Sequence, residues 1–165
     1  MNSPPVWPFT TNESGFSPRL VESMIRDALS NTPVVCVLGA RQSGKTALVK
    51  HMFPDRPYVD LDTFSEFVMA SENPGSYIER LPDTVTIDEV QNVPNLIDPI
   101  RVSVDQNRRP GRFILTASIN LHLIQDLSQA LAGRMEIIDL HPLTESERSR
   151  SSGKFLIDLL NDWLK

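Results

Sequence analysis

Residues 39–46 have the sequence GARQSGKT and come directly after the apolar run VVCVL. They fit the pattern G-x-x-x-x-G-K-[ST], in which glycines allow backbone angles that side chains would obstruct, so that successive N–H groups turn toward one point. A lysine and a hydroxyl residue at the end of such a loop suit phosphate oxygens and a divalent cation. The apolar run before the motif and the helical pattern after it supply the context that the motif needs. The segment therefore predicts a phosphate-binding loop between a strand and a helix.

The positions of this loop have separate expected roles. Gly39 and Gly44 let the backbone N–H groups approach the phosphates, and Lys45 reaches the β- and γ-phosphates of a nucleotide. The hydroxyl of Thr46 is placed to ligate Mg²⁺, and the helix that begins near Lys45 adds the partial positive charge of its N-terminus. The residues that we predict to contact the nucleotide are Gly39, Ala40, Arg41, Gln42, Ser43, Gly44, Lys45, Thr46 and Ala47.

Short apolar runs alternate with helical patterns along the chain. Continuously apolar, β-branched runs are typical of strands that are covered on both faces of a parallel sheet. A first helix is predicted with Ser17 as its N-cap and Pro18 at its first position. The alternation predicts an α/β fold, with a five-stranded, mainly parallel sheet and helices on both faces. The predicted strands are residues 34–38, 58–61, 84–87, 112–117 and 135–140.

The composition limits the class of protein and its surroundings. The chain has 165 residues and a formal net charge of −5, which fits one core domain and argues against a surface that grips nucleic acid by bulk positive potential. The single cysteine, Cys36, permits no internal disulfide. No stretch approaches the roughly 18 consecutive apolar residues of a membrane span. We therefore expect a cytoplasmic protein without a membrane segment.

We expect three regions along the chain. Residues 1–17 are rich in Pro, Ser, Thr and Asn and predict a flexible lead-in. Residues 18–143 carry the predicted core. Residues 144–165 combine a polar hinge with an amphipathic helix, whose apolar positions fall within 155–164. That apolar face either packs on its own domain or meets a partner, through self-association or through a further C-terminal domain.

A pair of acids follows the third predicted strand, in the sequence TVTIDEVQ. Asp88 comes at the end of the strand, where a carboxylate next to the phosphate loop can hold Mg²⁺. Because side chains alternate along a strand, Glu89 points elsewhere and can polarise a water that attacks the γ-phosphate. The alternative is an acidic pair in a solvated loop; the strand pattern and the upstream phosphate loop favour the catalytic interpretation. The adjacent acid favours hydrolysis over phosphoryl transfer to a small molecule.

The fourth predicted strand ends in further polar residues, in the sequence RFILTAS. In P-loop proteins that add a strand between those of the loop and of the acidic pair, a polar residue at this tip senses the γ-phosphate and the attacking water. Ser118 is the favoured sensor, and Thr116 and Asn120 are alternatives. The competing interpretation is that all three simply cap the helix that follows.

A single arginine and a cluster of three arginines suggest further roles. Arg134, in LAGRMEII, comes just before the fifth strand, and its guanidinium can stabilise charge on a transferring phosphoryl group in its own subunit or in a neighbour. A surface arginine beside a strand is the alternative. Arg108, Arg109 and Arg112 form a short basic cluster in NRRPGR. Most such clusters are solvated, so this one gives little support for contact with DNA.

With these segments in this order, the chain resembles the predicted AAA-type ATPases of bacteria and archaea that carry a C-terminal nuclease-like domain of unknown function. The resemblance runs from about residue 18 to residue 148 and depends on VVCVLGARQSGKTALVKHMFPDRPYVDLD, LPDTVTIDEVQNVPNLI, RRPGRFILTASINL and LAGRMEIIDLHPLTESE. It implies a P-loop NTPase three-layer αβα sandwich with the AAA-like strand order 5-1-4-3-2, and it implies ATP as the nucleotide. It also implies that Asp88 is the magnesium residue, Glu89 the catalytic one and Arg134 a phosphate-sensing or finger arginine.

The chain departs from that family in two places. It has Thr116-Ala117-Ser118 where the family usually has Thr-Gly-Ser, so we expect a slightly different sensor geometry. The family continues far beyond PLTESE, whereas this sequence stops at Lys165. We therefore expect either a fragment or a natural short form.

The leading hypothesis is a Mg²⁺-dependent domain that binds and hydrolyses ATP. The second is a nucleotide-gated interaction module with little or no turnover, in which the nucleotide sets how the C-terminal segment docks. A small-molecule kinase is the third, and the sequence offers no candidate for the arginine-rich lid that a kinase needs. The predicted catalytic residues are Glu89, Lys45, Ser118 and Arg134, and the predicted metal ligands are Thr46 and Asp88.

Overall fold

The computed structural model describes residues 16–118, 121–144 and 147 of the chain. Helices and strands alternate through this part of the chain, as the sequence predicts. The helices are α1 (Glu22–Asn31), α2 (Lys45–Met52), α3 (Phe64–Glu72), α4 (Pro74–Arg80), α5 (Ile97–Gln106) and α6 (Leu121–Ala130). The strands are β1 (Val34–Gly39), β2 (Tyr58–Asp60), β3 (Val85–Asp88), β4 (Phe113–Ser118) and β5 (Met135–Asp139). Two 3-10 turns, Val90–Asn92 and Pro94–Leu96, lie between β3 and α5.

The five strands form one sheet in the order β2-β3-β4-β1-β5, and its four strand pairs are all parallel. β1 lies between two neighbours, so that Leu38 is opposite Ala117 on one side and Asp139 on the other. The helices flank this sheet. The predicted α/β fold and the strand order 5-1-4-3-2 are confirmed, because the two orders are the same arrangement named from opposite edges.

The centre of the core lies along β1 and β4. All six residues of β1 are buried, and so are the first five of β4. Phe113 and Leu115 of β4 belong to one buried cluster with Ile100 of α5 and Leu127 of α6. Strands covered on both faces need apolar residues at consecutive positions, which is the pattern that identified them in the sequence. Burial of each large aliphatic side chain contributes about 1.5–3 kcal/mol relative to exposure.

One arginine joins the amino ends of β3 and β4. Its Nη2 donates hydrogen bonds to the carbonyl oxygens of Val85 at 3.2 Å, Gly111 at 2.8 Å and Arg112 at 2.8 Å. This residue is Arg56, whose pKa is lowered by burial to about 10. The guanidinium therefore stays charged at neutral pH and stabilises backbone carbonyls at the edge of the sheet opposite to the phosphate loop.

The first helix begins later than the sequence suggests. The prediction places Ser17 at the N-cap, whereas α1 begins at Glu22 and no side chain caps it at Val21. A cap at Ser17 would serve the backbone N–H of Leu20, three residues on. That N–H instead donates to Oε1 of Glu147 at 2.8 Å, so a carboxylate from far along the chain takes the place of the predicted cap.

The chain divides into two compact units, residues 21–142 and residues 1–20 with 143–165. The first unit contains the whole sheet. Of the second, the structure describes residues 16–20, 143–144 and 147. The predicted amphipathic helix over 155–164 and most of the predicted lead-in lie outside the described residues.

Glu147 makes several hydrogen bonds to the described residues of that second unit. Its carboxylate accepts hydrogen bonds from Nε of Arg19 at 3.2 Å and from the backbone N–H of Thr144 at 2.8 Å. The backbone N–H of Glu147 donates in return to Oγ1 of Thr144 at 3.3 Å, which makes a capping box. Burial raises the pKa of Glu147, but hydrogen bonds from Thr144, Leu20 and Arg19 outweigh burial and hold this pKa below its ordinary value.

Candidate functional site

The carboxyl ends of β1, β3 and β4 meet at one edge of the sheet, because the three strands are parallel. The predicted phosphate loop leaves β1 at this edge, and Asp88 is the last residue of β3. Ser118, the last residue of β4, is opposite Gly39 in the register of the sheet. The phosphate loop, Asp88 and Ser118 therefore meet at the same edge of the sheet, although they are far apart in the sequence.

The backbone of the phosphate loop explains why its glycines are needed. Gly44, just before α2, has a φ of 96°, which an L side chain rarely tolerates. At Gly39, a Cβ atom would lie 2.5 Å from the carbonyl oxygen of Leu140 and 2.6 Å from Oγ of Ser43. Gln42 also has a positive φ, of 65°. The loop is therefore a tight turn that leads directly into the N-terminus of α2, where the helix dipole favours an anion.

Lys45, the first residue of α2, is a buried cation with only 4% of its surface exposed. Its Nζ donates to the carbonyl oxygens of Gly39 at 3.2 Å and Ala40 at 3.3 Å, and to Oγ of Ser118 at 3.3 Å. Oε1 of Glu89 lies 3.6 Å from the same nitrogen. An ammonium held mainly by neutral oxygens gains energy by exchanging them for charged phosphate oxygens. Lys45 is thus placed to bind an anion in the loop.

Asp88 is almost fully buried, and three hydroxyl groups surround its carboxylate. Oγ1 of Thr46 donates to Oδ2 at 2.7 Å, and the hydroxyl of Tyr58 donates to the same oxygen at 2.5 Å. Oγ1 of Thr116 donates to the other carboxylate oxygen. Burial and the hydrogen bond to Asp88 both raise the pKa of Tyr58. These three hydrogen bonds satisfy the carboxylate oxygens of a buried acid.

Glu89 lies next to Asp88 with a φ of 57°, in the left-handed region. This conformation turns its side chain away from that of Asp88 and toward the phosphate loop. Its carboxylate accepts hydrogen bonds from Oγ of Ser118 at 3.2 Å and from Nε2 of Gln91. Its backbone N–H donates to Oγ1 of Thr116 at 2.9 Å. The two acids therefore face different partners because of the left-handed turn after β3, and not because of the alternation of side chains along a strand on which the prediction rested.

Thr46 and Asp88 fit a magnesium ion. A hydroxyl and a carboxylate are the oxygen ligands that Mg²⁺ prefers, and Mg²⁺ commonly takes its remaining ligands from phosphates and water. The two side chains meet at the start of α2, beside a loop whose Gly39 leaves no space for a Cβ atom. The oxygen atoms of Thr46 and Asp88 are therefore suited to bind a hard cation that accompanies a phosphate.

Two of the three sensor candidates lie in the site. Ser118 contacts both Lys45 and Glu89, whereas Thr116 contacts Asp88. Asn120, the third candidate, lies outside the described residues.

Arg134 does not join the other predicted catalytic residues. Its carbonyl oxygen accepts a hydrogen bond from the N–H of Val34, at the start of β1, whereas the phosphate loop follows the end of that strand. Six residues of strand separate the two edges by about 20 Å. Nε and Nη2 of Arg134 donate to the carboxylate of Asp105 at 2.6 and 3.1 Å. That bidentate bond raises the pKa of Arg134 and lowers the pKa of Asp105.

The three arginines of NRRPGR also have protein partners. Arg112 is buried and donates to the carbonyl oxygen of Ser103 at 2.5 Å, beside a cavity of about 540 Å³ between α4 and α5 that is remote from the phosphate loop. Arg109 pairs with Asp83 at 2.6 Å, and Arg108 donates to the carbonyl oxygen of Gly133 at 2.7 Å. These contacts give the arginines structural roles in the turn before β4.

Sequence reasoning missed two residues of this site. Tyr58 begins β2, and its hydroxyl reaches Asp88 only because β2 and β3 pair with Asp60 opposite Asp88. Gln91 was visible in TIDEVQ, but its contact with Glu89 depends on the left-handed turn at that residue. A strand pattern gives no sign of either contact.

Among the helices that the structure describes, none has the length and apolar character needed to cross a membrane.

Comparison with solved structures supports the fold. The chain is similar to the Walker-type ATPase of Pyrococcus abyssi, with a TM-score of 0.54 at 17% identity over 93% of this chain and 61% of the other. It is also similar to AMPPCP-bound DnaA from Aquifex aeolicus, with a TM-score of 0.54 at 15% identity over 92% and 56% of the two chains. At such low identity these similarities establish the arrangement of strands and helices.

Comparison with curated sequences finds two mycobacterial relatives. They are uncharacterized proteins of Mycobacterium tuberculosis and Mycobacterium bovis, each 35% identical over 121 residues. The match covers 73% of this chain and 27% of each relative, so the chain spans about a quarter of their length. The AAA domain family matches residues 31–149, which include every strand of the sheet. The chain therefore belongs to the AAA domain family.

Proposed function

We propose that this chain binds ATP together with Mg²⁺ and hydrolyses it to ADP and phosphate. The observation that carries the proposal is the meeting of Lys45, Ser118 and Glu89 beside the Thr46–Asp88 pair, at the end of a phosphate loop. Loop and helix N-terminus bind phosphate, while the acidic pair supplies a metal ligand and a proton acceptor. The similarity to a Walker-type ATPase and to DnaA with bound AMPPCP adds support at the level of the fold.

Each residue has one role in the proposed reaction. Lys45 exchanges its carbonyl partners for the β- and γ-phosphate oxygens, and the loop N–H groups bind the same phosphates. Thr46 and Asp88 hold the Mg²⁺, which when bound offsets negative charge on the phosphates. Ser118 is placed to donate to the γ-phosphate.

Glu89 is the proton acceptor of this mechanism. Its carboxylate orients a water molecule and accepts a proton from it as the water oxygen bonds to the γ-phosphorus. The bond from that phosphorus to the oxygen that bridges to the β-phosphorus breaks at the same time. ADP takes the electron pair of that bond, and phosphate is released. The orientation of Glu89 toward the loop supports this role.

Arg134 enters the proposal only through a second subunit. Its place at the opposite edge of the sheet keeps it from the phosphates of its own chain. An arginine at the edge of one subunit can complete the site of a neighbour, because phosphoryl-transfer sites accept a guanidinium supplied in trans. We therefore propose self-association as the condition for full activity.

The second candidate is a nucleotide-gated interaction module. The observation in its favour is that Oε2 of Glu89 accepts hydrogen bonds from Ser118 and Gln91 and that Oε1 lies 3.6 Å from Nζ of Lys45, so both carboxylate oxygens are engaged by protein groups. In this case ATP would bind and persist, and its presence would set how the C-terminal segment docks.

Phosphate release and ATP binding together test the proposal. Purified chain with ATP and Mg²⁺ is assayed over a series of protein concentrations beside Glu89→Gln and Lys45→Ala. We expect Glu89→Gln to bind ATP like the wild type and to lose turnover, and Lys45→Ala to lose binding. Arg80→Ala, which removes an exposed cation at the end of α4, is the control and should match the wild type. Tight ATP binding by Lys45→Ala would overturn the proposal, and binding without release by the wild type would favour the interaction module.

A further inference from the structure

The proposed mechanism leaves Gln91 without a role, although its side chain touches two residues of the site. Gln91 lies in the 3-10 turn that follows β3. Its Nε2 donates to Oε2 of Glu89, and its Oε1 accepts from the backbone N–H of Ser118 at 3.3 Å. A carboxylate only accepts and an N–H only donates, so these partners determine the orientation of the amide. One amide thus bridges the acid after β3 and the tip of β4.

The backbone around Glu89 is fixed independently of that bridge. Its N–H donates to Oγ1 of Thr116 at 2.9 Å, and its carbonyl oxygen accepts from the N–H of Asn92 at 3.0 Å. The direction of the carboxylate therefore depends on the side-chain torsions of Glu89. Among the described residues, these torsions are held by groups of Gln91, Ser118 and Lys45, which contact the carboxylate.

Of these three partners, two have phosphate oxygens as competing targets under the proposed function. In the proposed reaction Lys45 binds the β- and γ-phosphates. Ser118, which contacts Lys45 at the end of β4, donates to the γ-phosphate. The amide nitrogen of Gln91 binds Glu89, and the amide oxygen binds the backbone N–H of Ser118. It is therefore the partner that stays with Glu89 when a nucleotide draws the other two away.

We infer that Gln91 is a positioning residue for hydrolysis: its amide holds the Glu89 carboxylate in the direction of the attacking water and couples that direction to the tip of β4. The inference rests on the proposed function, since Glu89 must act on water for its direction to matter. A hydrogen bond to a charged group has a strong directional preference, and a misdirected proton acceptor slows the chemical step without weakening substrate binding.

Two substitutions separate this role from a structural one. Gln91→Met keeps the length of the side chain and loses both hydrogen bonds. Gln91→Glu keeps an acceptor for the N–H of Ser118 but places a second carboxylate beside Glu89. If Gln91 positions Glu89, turnover falls in the order wild type, Gln91→Met, Gln91→Glu. If Gln91 only supports the tip of β4, Gln91→Glu stays close to the wild type and above Gln91→Met.

The experiment measures kcat for ATP hydrolysis and the ATP affinity of each variant, with Gln125→Met, an exposed position on α6, as the control. We expect Gln91→Met to lower kcat by about tenfold to a hundredfold, the effect of one lost hydrogen bond to a charged group, with ATP affinity unchanged. In a Glu89→Gln background the same substitution should have no further effect on the residual rate, because residues that act through one another are not additive.

The outcomes distinguish this inference from the function on which it rests. Absence of turnover in the wild type overturns the proposed hydrolysis and the inference together. Turnover in the wild type that Gln91→Met leaves unchanged overturns the inference alone. So does an equal loss from Gln91→Met in the wild-type and Glu89→Gln backgrounds, or a rate for Gln91→Glu above that of Gln91→Met.

Discussion

The hydroxyl of Thr46 and the carboxylate of Asp88 share a hydrogen bond of 2.7 Å although 42 residues separate them in the chain. Thr46 belongs to the first turn of α2, and Asp88 ends β3. The contact exists because parallel strands bring their carboxyl ends to one edge, and it places a hydroxyl oxygen and a carboxylate where one cation can bind both.

Asp88→Asn should remove the magnesium dependence of ATP binding. An amide oxygen has less negative charge than a carboxylate and attracts a divalent cation less strongly. We expect the wild type to bind ATP more tightly with Mg²⁺ than with EDTA, and Asp88→Asn to bind equally in both, as measured with a fluorescent ATP analogue. Asp98→Asn, at an exposed carboxylate on α5, is the control. A full magnesium effect in Asp88→Asn would contradict the assignment of this carboxylate to the metal.

Gly39→Ala should damage both the fold and the site. The new methyl group would meet a backbone oxygen at 2.5 Å, so the loop must shift, and we expect a loss of about 1–3 kcal/mol in the free energy of unfolding together with weaker ATP binding. Gly133→Ala is the matched control, because Gly133 has a φ of 68° but no atom within 4 Å of the added Cβ. It should cost about 1–2 kcal/mol through backbone strain and leave ATP binding intact. Urea unfolding and ATP titration of both variants provide the comparison.

The hydroxyl of Tyr58 should make stability depend on pH in the alkaline range. Burial and the bond to Asp88 raise the pKa of Tyr58 in the folded chain, while an unfolded tyrosine ionises near pH 10. The contribution of this hydroxyl is therefore complete below about pH 10 and is lost as the pH rises further toward the folded pKa. Tyr58→Phe should be less stable than the wild type at pH 8, with a shallower decline above about pH 10.

Tyr77 provides the comparison for that measurement. It is the other of the two tyrosines, and burial and a hydrogen bond to Glu66 raise its pKa as well. Urea unfolding of Tyr58→Phe, Tyr77→Phe and the double variant across this pH range should show that each tyrosine accounts for part of the alkaline loss. An alkaline decline as steep in Tyr58→Phe as in the wild type would mean that its hydroxyl does not donate to Asp88.

Arg134 should affect ATP hydrolysis only through the site of a neighbouring subunit. Arg134→Ala removes the bond to Asp105 but leaves the nucleotide site of its own chain untouched, so ATP affinity should equal that of the wild type. Any rise of turnover with protein concentration should disappear. Mixing Arg134→Ala with Glu89→Gln should restore activity beyond that of either variant, because the first retains an intact acid and the second an intact arginine. Equal activity in the mixture and in the separate variants would exclude a role in trans.

The strands were predictable because their pattern reports burial, which is a local property of the sequence. Each of the five predicted runs agrees with an observed strand to within one or two residues, and the phosphate loop follows β1 as its motif requires. The strand order came from the family resemblance, since burial alone does not specify which strands are neighbours.

The start of α1 and the partners of Asp88 could not be predicted, because they depend on residues that are distant in sequence. Ser17 looked like an N-cap, but the N–H that it would serve is bound by Glu147. Tyr58 reaches Asp88 through the register of two strands. Arg134 was predicted to stabilise a phosphoryl group in its own subunit or in a neighbour, or else to be a surface arginine, and its place at the other edge of the sheet removes only the first of these interpretations.

β1 is buried along its whole length and paired on both sides, and it is also the strand that leads into the phosphate loop. Central strands of this kind exchange their amide hydrogens only when the whole domain opens. A ligand bound at the end of such a strand binds the folded domain and not the unfolded chain, so it makes this global opening rarer. Occupancy of the loop should therefore protect the entire sheet from proteolysis and hydrogen exchange, in proportion to ligand concentration.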